Sequence, residues 1–254
     1  MHTVDQELLH TVIEIAQQMT EVGAEISRVE ESVTRIFGAY GAARIDVYAT
    51  TSNIIISVED DEGTVLTQTR RIGRITTDME RLHRYNDVVR WMSCEAPDLE
   101  TINARLAGVS SASKYPGWIT ALFSGVIGAS FCVFFGGRNP AEIAIAFAIG
   151  LLIDRLSAVL SKGKVNLLLV RFLCAFGASL IAVYVTKLGL IAKPDYILIG
   201  NIMILIPGIG LTNALRDLFS GDVMTGILRS IEAVLVTLSI SLGIILPTLI
   251  GGAL

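Results

Sequence analysis

The chain has 254 residues, enough for one or two domains, with 52% hydrophobic residues and a mean hydropathy of +0.61. Its charge is divided: residues 1–116 carry 11 of the 20 Lys+Arg and 18 of the 24 Asp+Glu, net −7, whereas residues 117–254 carry 9 and 6, net +3. This asymmetry excludes a single water-soluble globule. It predicts an acidic soluble α+β domain over 1–113, then an all-α polytopic membrane domain over 114–254 with about five transmembrane helices.

Residues 1–18 are polar and amphipathic, without the apolar stretch of a secretory signal, so the first domain is expected in the cytoplasm. Leu8, Val12, Ile15, Met19, Val22, Ile26, Val29, Val33 and Ile36 recur at alternating steps of four and three, a helical stripe. Gly23 predicts a break near 22–25, so the stripe reads as a helix pair rather than a coiled coil. Ser27 and Glu30 have the spacing of a capping box. Alternation through Ile45–Val47–Ala49, Ile54–Ile56–Val58 and Val65–Thr67–Thr69, with a turn at Asp60-Asp61-Glu62-Gly63, predicts a three-stranded antiparallel meander. A helix over about 76–91 follows, and Pro97-Asp98 starts a short one over about 98–108. Arg70, Arg71, Arg74, Arg81 and Arg84 are interleaved with acids and read as a solvated, salt-bridged surface rather than an anion site.

Five spans are predicted at about 117–135, 141–160, 166–186, 196–207 and 226–250. Lys114, Tyr115 and Trp118 sit where cationic and aromatic anchors belong. With the N-terminus inside, Arg105, Lys114, Arg155, Lys162, Lys164, Arg171, Arg216 and Arg229 fall at cytoplasmic ends, against Arg138, Lys187 and Lys193 outside, in keeping with the positive-inside rule.

The segment from Pro207 to Asp222 carries the richest chemistry. Pro207, Gly208 and Gly210 interrupt the fourth span, and backbone freed at membrane depth must line a cavity or find protein partners. Such a break can bind substrate at a half-helix N-terminus, with Thr212 and Asn213 adding neutral hydrogen bonds and Arg216, Asp217, Asp222 and Arg229 adding charge. The alternative is a plain span end followed by a solvated turn. Glu232 can pair with Arg229 three residues before it. Arg171 can snorkel to the interface, and Asp154 and Arg155 read as interfacial. No catalytic constellation, metal site or cofactor is predicted. There is no phosphate loop or nucleophile elbow, His2, His10 and His83 lack metal spacing, and Cys94, Cys132 and Cys174 read as small packing residues.

Gly23-Ala24-Glu25 with Arg28-Val29-Glu30, Tyr40-Gly41, Thr69-Arg70-Arg71, Tyr115-Pro116, and then Pro207-Gly208, Asn213, Asp217, Gly221, Gly226 and Arg229 resemble the threonine/serine exporter family along nearly the whole chain. The resemblance implies a non-enzymatic subunit of a secondary exporter in the bacterial inner membrane. Its cargo would be small hydrophilic metabolites, threonine/serine-type amino acids or C4-dicarboxylates such as succinate. It also implies a split system completed by a small multi-span membrane partner, forming an oligomer within the lipid bilayer, with no nucleic-acid partner. The transport path would involve Pro207, Gly208, Gly210, Thr212, Asn213, Arg216, Asp217, Asp222, Arg229 and Glu232, and Glu25, Arg28 and Glu30 would form a motif in the soluble domain. A membrane-anchored sensor or scaffold, or a membrane-tethered hydrolase, are the alternative readings.

Overall fold

The structure, a computed structural model, describes residues 4–73, 75–110, 115–163 and 165–253. His2, Arg74, Lys114 and Lys164 of the sequence reading lie outside the described residues. The chain forms two compact units: Met1–Ser113 with Thr212–Arg229, and Lys114–Leu211 with Ser230–Leu254.

In the first unit, α1 (Gln6–Glu21) starts at Asp5, whose carboxylate accepts the Leu8 N–H at 2.7 Å. The predicted stripe is its buried face: Leu8, Val12, Ile15 and Met19 are at most 2% exposed. The break falls at Gly23, with φ +102°, where a Cβ would lie 3.0 Å from the Thr76 carbonyl oxygen. Helix α2 (Ile26–Ala39) then buries Ile26, Val29, Val33 and Ile36.

The capping box does not form. Glu25 occupies the N-cap position but its side chain does not cap the helix, Ser27 lies inside the helix, and Glu30 Oε1 accepts the Ala49 N–H at 2.8 Å. Ala49 is buried at the end of an edge strand, and a buried backbone donor needs an acceptor that solvent does not supply.

Strands β1 (Arg44–Ala49), β2 (Asn53–Glu59) and β3 (Val65–Arg71) form the expected antiparallel meander in the order β1-β2-β3. Ile45 faces Val58 and Val47 faces Ile56, and Ile54, Ile56 and Val58 are fully buried against the helices. Helix α3 (Met79–Glu95) starts later than its periodicity suggested because Asp78 caps it, accepting the Arg81 N–H at 3.0 Å. Helix α4 (Leu99–Ser110) follows Asp98, which accepts the Thr101 N–H at 2.9 Å. Tyr40 donates to the Pro97 carbonyl at 2.6 Å, and burial, with Asp98 nearby, pushes its hydroxyl up to about 12. Arg81 and Arg84 pair with Asp78 and Glu80, and Arg70 lies 3.1 Å from His10 Nδ1.

The second unit is helical: α5 (Gly117–Phe134), α6 (Pro140–Lys162), α7 (Leu167–Lys187), α8 (Asp195–Leu205), the start of α9 (Gly208–Phe219) and most of α10 (Val223–Ala253). Asn139 caps α6 and Asn166 caps α7, each accepting an N–H two residues on, with Pro140 at the first helical position. Ala146, Ala175, Ala178, Ala182, Cys132 and Cys174 fill the close contacts of the core. Cys94 differs from that expectation: it is exposed on α3.

Helices α5, α6, α7 and Val223–Gly251 are each long and apolar enough to cross a membrane. A fifth span results if α8 and α9, bent by 55°, count as one. Many large apolar side chains on these helices, Trp118, Phe123, Phe134 and Leu249 among them, point outward, as a lipid solvent allows.

Candidate functional site

Helix α8 ends at Ile206, which is extended at φ −65° and ψ +131°. Pro207 has no N–H to close the turn onto Met203, and the chain resumes as α9 when Leu211 donates to the Pro207 carbonyl at 2.9 Å. A groove of about 220 Å³ lies at this break, lined by Ile206, Pro207, Leu211, Ala233, Val234, Thr237 and Leu238. Its one side-chain hydroxyl, on Thr237, donates to the Ala233 carbonyl of its own helix at 2.9 Å. Gly208, Gly210 and Thr212 are exposed and Asn213 is half-buried. The groove therefore offers apolar surface rather than hydrogen bonds.

The charged candidates gather within the first unit. Helix α9 ends in a Schellman motif: Gly221, at φ +91°, donates to Leu218, and Asp222 donates to the Asp217 carbonyl at 3.0 Å. Asp222 then begins α10, its carboxylate 3.4 Å from the Thr225 N–H. The two helices approach so closely that a Cβ on Gly226 would lie 2.6 Å from Leu218 Cγ and 2.9 Å from the Leu218 nitrogen. Sequence reading assigned this stretch to a turn at a span end or a half-helix. It is a helical hairpin, and Thr212–Arg229 groups with the first unit, where Arg216 meets Glu25 and Arg229 meets the Ala24 carbonyl.

Arg229 organises the hairpin. Its Nη1 lies 3.0 Å from Asp217 Oδ2, in an ion pair not aligned as a hydrogen bond, and its Nη2 donates to the Ala24 carbonyl at 3.1 Å. Asp217 is 1% exposed and Arg229 8%. Arg216 pairs with Glu25, its side chain 57% exposed against 20% for its partner. Glu30 and Asp222 complete the cluster, and burial, then the Asp222 charge, raise the Glu30 carboxyl against the lowering pull of the Ala49 N–H. Two of the four acids, Glu25 and Asp217, thus pair with the two guanidiniums, and Asp222 lies near Glu30. Thr225 is fully buried in the first turn of α10 and its hydroxyl finds no partner among the described residues.

Of the predicted residues, the structure brings together Glu25, Glu30, Arg216, Asp217, Asp222 and Arg229. Arg28 is exposed on α2, and Glu232 is exposed beyond the hairpin, the carboxylate partner of Arg229 being Asp217. Sequence reasoning left out the Ala24 carbonyl, a backbone acceptor that has no side-chain signal. It also left out Thr225, which the spacing Asp222–Thr225–Arg229 places on one helical face.

Repeated apolar helices of spanning length, joined by short capped turns, define a multi-pass membrane protein of largely helical architecture. The chain belongs to the threonine/serine exporter family: the family described as "Putative threonine/serine exporter" matches residues 10–250. It is 26% identical over 243 residues to a protein of Klebsiella aerogenes named "Probable succinate transporter subunit YjjP", covering 94% of this chain and 92% of that one. The protein of the same name from Escherichia coli K12 is 26% identical over 91% of this chain and 89% of its own length. A "Probable threonine/serine exporter" of Mycobacterium tuberculosis is 23% identical over 97% of this chain, which spans 46% of that relative. No solved structure matches the chain.

Proposed function

We propose that this chain is the larger subunit of a two-part secondary exporter of small hydrophilic metabolites, either threonine/serine-type amino acids or C4-dicarboxylates such as succinate. A small multi-span membrane protein completes it, and residues 1–113 lie on the cytoplasmic side of the bacterial inner membrane. The observation that carries the site assignment is the buried Arg229–Asp217 pair clasping the Ala24 carbonyl, at positions where the chain resembles its family. A buried charge pair in a membrane protein is costly to maintain, and such groups concentrate where polar cargo or ions pass.

Roles divide by exposure. Asp217 and Arg229 hold the hairpin against the α1–α2 corner. Arg216, the exposed guanidinium, exchanges Glu25 for a substrate carboxylate, because a charge-assisted bond to a second carboxylate compensates the loss of the first. Export from liposomes or from cells lacking the native gene tests this. Arg216→Gln should raise the substrate concentration needed for half-maximal export by about tenfold or more, the worth of one charge-assisted hydrogen bond. Asp217→Ala should abolish export. Unchanged export in both variants would remove the site.

A further inference from the structure

The apolar groove at the Pro207 break is not accounted for by the movement of a hydrophilic cargo. Its rim residues Ile206, Leu211, Val234 and Leu238 are between 36% and 55% exposed, and Ala233, at 6%, is its most buried lining residue. Along α10 the small residues Ala233, Thr237 and Ser241 recur every four positions. The two hydroxyls turn back into the helix, Thr237 to the Ala233 carbonyl at 2.9 Å and Ser241 to the Thr237 carbonyl at 3.0 Å. The stripe therefore presents small, hydrogen-bond-satisfied surface beside a kinked neighbour.

A lipid chain covers apolar surface without needing such a notch. A transmembrane helix does need one, because helices in a bilayer associate by close packing at small residues rather than by escape from water. Two relatives of nearly this chain's length are named as subunits, whereas a relative of which this chain spans 46% is named as an exporter outright. The relative named as an exporter carries further chain beyond the shared region.

We propose that the groove seats a transmembrane helix of the partner subunit, with one large apolar side chain inserted between Pro207 and Ala233. This rests on the reading of the chain as one subunit of a two-part exporter. The full chain is expressed in its host with the photocrosslinker p-benzoylphenylalanine replacing Val234 or, for comparison, Phe123, which is 61% exposed on α5. Crosslinking at 234 is expected to give one discrete adduct with a multi-span membrane protein whose deletion abolishes export, and 123 is expected to give none.

Thr237→Leu, which fills the notch from its exposed edge, should reduce the adduct by about tenfold and leave the melting temperature of the purified chain unchanged. Adducts from 234 only to lipid or to a second copy of this chain would overturn the proposal, as would equal protein adducts from both positions. If export requires a second protein that 234 never reaches, the groove assignment fails and the two-part reading stands. If the purified chain alone exports at full rate, the two-part reading fails as well.

Discussion

Arg229 is held at two points of one guanidinium, by the Asp217 carboxylate and by the Ala24 carbonyl, with almost no access to water. Removing either charge of a buried pair leaves the other uncompensated, at a cost of about 3–5 kcal/mol. Asp217→Asn and Arg229→Gln should therefore each lower the melting temperature in detergent substantially. The double variant Asp217→Leu/Arg229→Met should recover part of that loss without recovering export, and thermal unfolding beside a transport assay checks both. Glu30 makes a pH prediction. Its carboxyl is raised by burial, so its ionised form is less favourable in the folded chain than in the unfolded one. The folded state then loses stability as pH rises from the ordinary carboxyl value of 4.5 through the raised value, and the penalty remains above it. Glu30→Gln, which keeps an acceptor for the Ala49 N–H, should raise the melting temperature at about pH 7.5 and leave it nearly unchanged at about pH 4. Arg216, Asp217, Asp222 and Arg229 were legible in the sequence because arginines and acids inside an apolar half stand out, whereas Glu25 and Glu30 were legible only through the family resemblance. Their pairing was not legible: Glu232 is three residues from Arg229 and looked like its partner, while Asp217 reaches it only because the chain reverses at Gly221.

That reversal belongs to the elements. Most helices and all three strands follow from periodicity, because the period of 3.6 over residues 8–36 and the period of 2 over 45–69 each match one buried face. Helix α9 was harder to see. Pro207, Gly208 and Gly210 read as a break in the fourth span, and residues 208–219 form a helix after it because backbone groups here are satisfied locally, by i→i+4 bonds and then by the Schellman closure at Asp217. The α9–α10 hairpin depends on Gly221 for its left-handed turn, at φ +91°, and on Gly226 for the close approach of the two helices. A side chain at 226 meets not only the movable Leu218 side chain but also its backbone nitrogen, so the helices must separate. Gly226→Val should cost about 1–3 kcal/mol through overpacking and should loosen the Arg229–Asp217 contact. Gly226→Val should thus reduce export together with stability. Asp222→Ala should cost only about 1 kcal/mol, the worth of an N-cap, and comparing the melting temperatures of the two variants distinguishes interhelical contact from capping.

At the scale of the molecule, the break in the fourth span bears on whether the chain transports alone. The broken span, the place where a self-sufficient transporter would line a polar path, is flanked by a groove with aliphatic walls. Ionised groups that could meet a hydrophilic cargo gather around Arg216 and Arg229, while the second unit holds the Asp154–Arg155 pair and the buried Glu142 on α6 and the buried Asn201 on α8. Relatives of nearly this chain's length are named as transporter subunits, and the proposed two-part exporter is tested by reconstitution. The expected outcome is a strict requirement for two proteins. Liposomes containing the purified chain alone should show no counterflow of labelled threonine, serine or succinate above protein-free controls. Addition of the second subunit should restore counterflow in proportion to complex formed, and Asp217→Ala in the reconstituted pair should remove it again. Full counterflow from the chain alone would mean that the path is complete within these helices and that the apolar groove faces only lipid.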